Sequence, residues 1–187
     1  VTGKGGVGKT TVASALALAL AQSGKRVLLV EVEGRQGISQ TFDVPPLGID
    51  ERLLVNSGDG ELWGLAVDAK AALLEYLQIF YKLGRAGNAL EKVGAIDFAT
   101  TIAPGVRDVL LIGKVYEAVG RTDGPRRGQG ARVWDAVVLD APPTGRVGRF
   151  LGVNAEVAGI ARMGPIKNQA DSITRLLQST NTAVHLV

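Results

Sequence analysis

The sequence predicts an α/β fold in which a mainly parallel sheet carries helices on both faces, and three observations support this. A glycine-rich loop at residues 3–8 runs directly into a long apolar helix pattern. Two runs rich in valine and leucine, at residues 27–32 and 133–139, have the character of strands buried on both faces. Strand and helix patterns alternate along the chain, which is typical of parallel sheets.

The elements follow in order from local patterns. Small apolar residues at 9–23 predict a buried helix, for which Gly24 is a suitable C-terminal cap. Residues 35–50 hold several glycines and prolines and are predicted to be mostly loop. Asp68 can cap a helix that begins at residue 69. The remaining predicted elements are a strand at 62–67, helices at 69–83, 88–93, 106–119 and 165–178, a basic loop at 121–132, and a β-rich run at 182–187.

Composition limits the class of protein. The chain has 187 residues with 46% hydrophobic and 21% charged residues, which are values of a globular protein and exclude disorder as the main state. The net charge of +3 is too small to argue for nucleic acid, so no nucleic-acid partner is expected. There is no cysteine, which excludes disulfides and thiolate metal sites within these residues and is consistent with a reducing, cytoplasmic location.

The two ends of the sequence indicate a fragment. Only Val1 and Thr2 precede the glycine-rich loop, although such a loop normally follows a buried parallel strand. The apolar run at 182–187 also stops abruptly. We therefore expect a piece of a longer α/β protein, truncated at both ends, with one domain over residues 1–187 and a helical insertion at about residues 69–120.

The motif GKGGVGKT at residues 3–10 fits the phosphate-loop pattern G-x-x-x-x-G-K-[ST] at every fixed position. By chance such a match occurs in roughly one chain of this length in a hundred. Lys9 is expected to reach the β- and γ-phosphates of a nucleotide, Thr10 to bind Mg²⁺, and Thr11 to contact the α-phosphate. The predicted nucleotide-binding residues are Gly3, Lys4, Gly5, Gly6, Val7, Gly8, Lys9, Thr10 and Thr11. The motif sharpens the fold class to a three-layer P-loop NTPase sandwich.

A second motif, DAPPTG, begins at Asp140 directly after the predicted strand at 133–139. Ligands of open α/β sheets bind at the carboxyl ends of strands, so Asp140 is placed to share a Mg²⁺ ion with Thr10. The prolines and Gly145 form a stiff turn with one flexible point, which suits a switch that responds to the γ-phosphate. An ordinary turn after a strand-end aspartate is the alternative.

Both motifs resemble those of one group of ATPases. GKGGVGKT is similar to the deviant phosphate loop of the ATPases related to MinD, ParA, the nitrogenase iron protein and ArsA. In that group the early lysine, here Lys4, reaches across a dimer interface to the partner's nucleotide. DAPPTGRVGRFL at residues 140–151 is similar to the signature of ArsA and the tail-anchored-protein targeting ATPases. Three positions depart from it: Ala141 and Pro142 stand where the family has threonine and alanine, and Arg146 replaces its histidine.

The resemblance implies the catalytic residues and the partners. Glu33 stands at the family aspartate that orients the attacking water, so the predicted catalytic residues are Lys4, Lys9 and Glu33. Glu31 is the alternative carboxylate, and a solvated glutamate at the strand end is the alternative reading of Glu33. ATP and Mg²⁺ are the implied cofactors, and a homodimer or a heterodimer with a related ATPase subunit is the implied assembly.

Other functions stay open at this point. A MinD/ParA-type partition or site-selection ATPase would use the same loop, and a nucleotide-dependent adaptor would bind ATP without hydrolysing it. The apolar stripe at residues 73–81 fits either a face that packs on the core or a groove that binds an apolar or membrane-protein client. Peripheral attachment to a membrane is a second possible location. Arsenite binding needs thiols, and this sequence has none.

Overall fold

The computed structural model describes residues 1–32, 35–69, 71–72, 104–125, 128–152 and 165–187. Its helices are α1 (Lys9–Gln22), α2 (Gly37–Thr41), α3 (Pro104–Gly120), α4 (Thr144–Leu151) and α5 (Pro165–Leu177), and its strands are β1 (Arg26–Val32), β2 (Arg52–Asn56), β3 (Glu61–Val67) and β4 (Ala136–Asp140). The chain divides into two compact units. The first holds Val1–Val67, Val115–Val147 and Ala183–Val187, and the second holds Asp68–Lys114 and Gly148–Thr182.

The first unit is built on a four-stranded sheet in the order β2-β3-β1-β4. β1 pairs in parallel with both β3 and β4, whereas β2 runs antiparallel to β3 at the edge. Beyond β4, the Val1 nitrogen donates to the Leu139 carbonyl oxygen at 2.8 Å, and Thr2 bridges Leu186 in parallel. The predicted α/β fold with a mainly parallel sheet is therefore confirmed, and the glycine-rich loop follows directly from the sheet.

The core of this unit lies between α1 and one face of the sheet. Alanines recur every four residues along α1, which brings one small-residue face of the helix close to the strands. All side chains of β1 from Val27 to Val30 are fully buried, so the strand is covered on both faces, as its apolar sequence predicts. The buried residues that pack together are Ala13, Ala17, Ala21, Val27, Leu29, Ile38, Leu47, Leu62, Ala66 and Val138.

Three elements differ from the sequence prediction. The short helix α2 lies inside the segment predicted to be mostly loop. Strand β2 was not predicted, because its apolar residues are only three in a row and do not alternate with polar ones. Strand β4 begins three residues later than predicted. The backbone N–H groups of Val133 and Asp135 instead donate to the carbonyl oxygens of Arg121 and Arg26.

The second unit is helical in its described parts. Asp68 caps a helix as predicted, since its carboxylate accepts the Ala71 N–H at 3.0 Å. Helices α3 and α5 confirm the predictions for residues 106–119 and 165–178. The apolar stripe at 73–81 and the predicted helix at 88–93 lie outside the described residues. The helical insertion into one domain stays a prediction.

The basic loop at 121–132 begins with a paired arginine. The Arg121 guanidinium donates to the Glu117 carboxylate at 2.7 Å and also to the Glu51 carboxylate. These hydrogen bonds, that to Glu117 foremost, raise the pKa of Arg121 above its ordinary value. The Arg132 guanidinium donates to the Val119 carbonyl oxygen. Both arginines therefore tie the loop to the end of α3.

Both tryptophans meet at the amino end of the sheet. Their rings are in edge contact, with centroids 6.0 Å apart, and the Arg26 guanidinium lies 5.4 Å from the centroid of Trp63 and 5.0 Å from that of Trp134. Glu61 holds the same arginine at 3.1 Å. This cation–π cluster closes the end of the sheet opposite to the glycine-rich loop.

The β2–β3 turn docks on the end of α1 through Gly60. A Cβ atom at Gly60 would lie 2.1 Å from the Ala21 carbonyl oxygen and 2.8 Å from the Lys25 nitrogen. Backbone atoms cannot yield as a flexible side chain can, so we expect Gly60→Ala to lower the free energy of unfolding by about 1–3 kcal/mol. Equilibrium unfolding in urea measures the change.

Gly48→Ala is the matched control, because a Cβ atom there meets no atom of the described residues within 4 Å. We expect this variant to keep the urea midpoint of the wild type. Equal midpoints for the two variants would contradict the close docking of the turn.

Candidate functional site

The glycine-rich loop joins the sheet to α1 and leaves its backbone free to face an anion. Gly6 and Gly8 have φ values of 82° and 88°, in the left-handed region that glycine adopts without strain. Gly8 is also the N-cap of α1. Successive N–H groups in such a turn, together with a helix N-terminus, form a site for phosphate groups.

Lys9 is the first residue of α1 and turns back into the loop. Its side chain is buried, and its ammonium group donates to the Lys4 carbonyl oxygen at 3.0 Å. The side chains of Lys4 and Thr11 are exposed. The loop therefore brings one ammonium group to its own centre and leaves a second lysine facing outward.

Thr10 and Asp140 meet at the foot of the loop. The Thr10 hydroxyl donates to Asp140 Oδ2 at 2.6 Å. Asp140 is only 8% exposed, and its other oxygen, Oδ1, is buried with no hydrogen-bond partner among the described residues. Hydroxyl and carboxylate oxygens are the ligands that Mg²⁺ prefers, and a buried oxygen without a partner needs one. The residues present therefore fit a magnesium ion.

Two further contacts tie the glycine-rich loop to the turn after Asp140. The Thr2 hydroxyl donates to the Pro142 carbonyl oxygen at 2.7 Å, and the Thr144 N–H donates to the Gly3 carbonyl oxygen at 3.0 Å. A Cβ atom at Gly3 would lie 2.3 Å from the Val187 carbonyl oxygen, so the backbone passes too closely for any side chain. The two sequence motifs thus form one surface at the carboxyl edge of the sheet.

Glu31, the alternative carboxylate of the sequence prediction, is buried in β1. It is 1% exposed and lies beside Asp140 in the parallel register of β1 and β4. Its Oε1 accepts the Gln36 N–H, and its Oε2 accepts the Ile38 N–H at 2.9 Å. Both oxygens are thus occupied by backbone donors, which does not suit the alternative role of a base. A glutamate inside an otherwise apolar strand is the signal that points to it.

Glu33 lies outside the described residues, so its role as base stays a prediction. Gln36 lies in the described segment that follows β1. Its side-chain amide makes two hydrogen bonds to the backbone of Leu47, donating to its oxygen at 3.1 Å and accepting from its nitrogen at 2.8 Å.

Comparison with known proteins decides the family. The family model described as "Anion-transporting ATPase" matches residues 1–186. The chain belongs to the anion-transporting ATPase family. This family membership confirms both the resemblance to ArsA and the P-loop α/β fold predicted from the two motifs.

Two relatives match along most of this chain. The Mycobacterium tuberculosis protein ATPase BagA is 55% identical over 188 residues, which covers 100% of this chain and 54% of that protein. ATPase GET3 of Kluyveromyces lactis is 30% identical over 182 residues, covering 90% of this chain and 50% of that protein. The chain spans about half the length of these relatives.

The described part of this anion-transporting ATPase family member gives two further observations. Within it, no helix has both the length and the apolar character needed to cross a membrane. Nor do three or more His, Cys, Asp or Glu side chains in the described ranges gather as they do around a tightly held metal.

Proposed function

We propose that this chain carries the nucleotide site of a Mg²⁺-dependent ATPase, whose hydrolysis of ATP to ADP and phosphate drives a dimer between two conformations. One observation carries the proposal. The Thr10 hydroxyl and the Asp140 carboxylate are hydrogen-bonded at 2.6 Å, and the second Asp140 oxygen is buried at the foot of a phosphate-binding loop, with no partner in the part of the chain that the structure describes. The family supports ATPase activity in general.

The loop residues bind and orient the triphosphate in this proposal. The N–H groups around Gly6 and Gly8 would face the phosphate oxygens, and the Lys9 ammonium would exchange its bond to the Lys4 carbonyl for β- and γ-phosphate oxygens. Thr10 and Asp140 would hold Mg²⁺, which neutralises negative charge on the β- and γ-phosphates when bound. These groups are positioned before the nucleotide arrives, so little reorganisation is needed.

The proposed base is Glu33. Water attacks the γ-phosphorus in line with the leaving β-phosphate oxygen, and a proton of that water passes to the Glu33 carboxylate. The new P–O bond forms as the bond to ADP breaks. Glu33 is proposed because of its position in the sequence. It comes one residue after the end of β1, where the family has the aspartate that orients the attacking water.

The assembly also belongs to the proposal. Lys4 is exposed on the outer side of the loop and is available to a second subunit, either the same chain or a related ATPase. Hydrolysis would then open and close the pair, with an apolar or membrane-protein client as the cargo. We further propose that this takes place in the cytoplasm.

The decisive experiment is ATP turnover of the full-length protein with Mg²⁺, measured over a series of protein concentrations for wild type, Glu33→Gln and Glu33→Asp. We expect wild-type turnover per subunit to rise with concentration, because the site is completed by a partner. Loss of a general base typically costs about 10²–10⁴-fold, so we expect a fall of that order in Glu33→Gln. Glu33→Asp restores the carboxylate and is the matched control, for which we expect measurable turnover.

Two results would contradict the proposed function or the proposed base. Tight ATP binding with no wild-type turnover at any concentration would indicate a nucleotide-dependent adaptor. Turnover that is equal in wild type and Glu33→Gln would remove Glu33 from the mechanism and leave the base unassigned.

A further inference from the structure

Glu31 links the metal end of the nucleotide site to the segment that follows β1. Glu31 lies next to Asp140 in the register of β1 and β4. Its carboxylate accepts hydrogen bonds from the backbone N–H groups of Gln36 and Ile38. We propose that Glu31 is a positioning residue, which holds residues 36–39 against Thr10 and so fixes the threonine hydroxyl where it meets Asp140. This inference rests on the proposed function, because it assigns a role toward the Mg²⁺ ion of that site.

The contact between the segment and Thr10 is made by Gly37. A Cβ atom built on Gly37 would lie 3.1 Å from Thr10 Cγ2, 3.4 Å from Thr10 Oγ1 and 3.6 Å from Glu31 Oε2. The Gly37 backbone therefore lies close against the Thr10 side chain, and a methyl group there would fit only if Thr10 moved by a few tenths of an ångström. With its methyl group covered in this way, Thr10 keeps the rotamer in which its hydroxyl reaches Asp140 at 2.6 Å.

The segment is held at its far side as well. Gln36 is a non-glycine residue with φ of 57°, and its amide side chain bonds both the nitrogen and the oxygen of Leu47. The Ser39 hydroxyl donates to the Gln36 carbonyl oxygen at 2.9 Å. Leu47 belongs to the core, so residues 36–39 are fixed between the core on one side and the Glu31 carboxylate on the other.

The positioning role explains why a carboxylate occupies position 31 of the buried strand β1. Burial of a carboxyl group is costly unless it is hydrogen-bonded, and an apolar side chain at position 31 would continue the pattern of β1 at no such cost. Glu31 also lies beside a second buried carboxyl group, that of Asp140, which adds to the cost. What the glutamate supplies in return is a pair of acceptors for two backbone N–H groups, which an apolar residue lacks.

The test compares wild type, Glu31→Gln and Val27→Ala in the full-length protein without nucleotide. Glutamine keeps the size of the side chain but turns an NH₂ group toward one of the two N–H donors. We expect amide hydrogen exchange at Gln36 and Ile38 to be at least about tenfold faster in Glu31→Gln, because local opening becomes easier. Val27 is buried on the same face of β1 at its other end, and Val27→Ala controls for a general loss of stability.

The second readout is the binding of mant-ATP, a fluorescent ATP analogue, titrated with Mg²⁺. Residues that orient a metal ligand typically contribute about 10–100-fold to metal affinity, so we expect the half-saturating Mg²⁺ concentration to rise by about that factor in Glu31→Gln. Affinity for mant-ATP without Mg²⁺ should stay at the wild-type value, since the loop amides and Lys9 are unchanged. Val27→Ala should leave the Mg²⁺ midpoint in place.

Unchanged exchange and an unchanged Mg²⁺ midpoint in Glu31→Gln would overturn the inference, as would an equal shift in Val27→Ala. Should Glu31→Gln not fold, Gly37→Ala decides the matter. Its methyl group presses on Thr10 while Glu31 stays intact, so a wild-type Mg²⁺ midpoint there would also overturn the inference.

The outcome also separates this inference from the proposed function. If the wild-type protein shows no turnover and Glu31→Gln still weakens Mg²⁺-dependent mant-ATP binding, the role of Glu31 is supported and hydrolysis is excluded. If wild-type turnover is normal and Glu31→Gln changes neither amide exchange nor the Mg²⁺ midpoint, the proposed function is supported and the role of Glu31 is excluded.

Discussion

Substitution of Lys4 by alanine is expected to leave ATP binding in place and to lower turnover by about 10³–10⁵-fold, the range for a cation that stabilises the transition state from a partner subunit. The side chain of Lys4 is exposed, and only its backbone carbonyl oxygen takes part in the loop, where it accepts the Lys9 ammonium at 3.0 Å. Alanine keeps that carbonyl. The change therefore removes the outward charge alone, and ATP turnover with parallel mant-ATP binding measures its effect.

The matched control is Lys25→Ala, another exposed lysine, in the turn between α1 and β1. We expect it to behave as wild type. Mixing Lys4→Ala with Glu33→Gln then tests action from the partner subunit, because a mixed dimer holds one site with an intact Glu33 and a Lys4 from its neighbour. Recovery of turnover in the mixture supports the trans role, whereas full turnover of Lys4→Ala alone would refute it.

Asp140→Asn is expected to lower turnover by about 10²–10³-fold and to raise the Mg²⁺ concentration needed for half-maximal turnover, since it removes a charge aimed at the site where charge develops. Asparagine keeps the shape and one oxygen to accept the Thr10 hydroxyl. It also lessens the repulsion between two neighbouring buried carboxyl groups, those of Glu31 and Asp140. We therefore expect the urea midpoint not to fall. Turnover against Mg²⁺ concentration, with urea unfolding beside it, checks both expectations.

Asp135→Asn is the control for this variant, because it makes the same chemical change just before β4. Asp135 accepts the Arg26 N–H at 2.7 Å, far along the sheet from the loop. We expect it to keep the Mg²⁺ dependence of the wild type. A normal Mg²⁺ dependence in Asp140→Asn itself would exclude this residue from the metal site.

Sequence patterns were sufficient where one residue type dictates one local structure. The run of alanines and leucines at 9–22 and the valine-rich run at 26–32 became α1 and β1, because burial of these apolar surfaces is the main driving force for both. The phosphate-loop motif could be recognised because backbone geometry requires its glycines. Gly6 and Gly8 have φ values of 82° and 88°, and this local requirement is independent of the rest of the fold.

The sequence could not reveal structure that depends on distant partners. Helix α2 has five residues, too few to be stable alone, and it is held by the Glu31 carboxylate and the Leu47 backbone. Strand β2 is an edge strand with largely exposed side chains, so it carries no burial pattern. The sequence also cannot distinguish a base from a structural carboxylate at Glu31, because the two look the same until the hydrogen bonds to its oxygens are known.

The paired tryptophans make the protein's own fluorescence a selective probe. They are the only two in the chain, and both lie against Arg26, toward the end of the sheet opposite to the phosphate loop. We expect their emission to report the integrity of the β1–β3–β4 scaffold. Unfolding of the sheet can then be followed through the protein's own emission, and nucleotide occupancy through a dye that does not absorb at the tryptophan emission, in one sample.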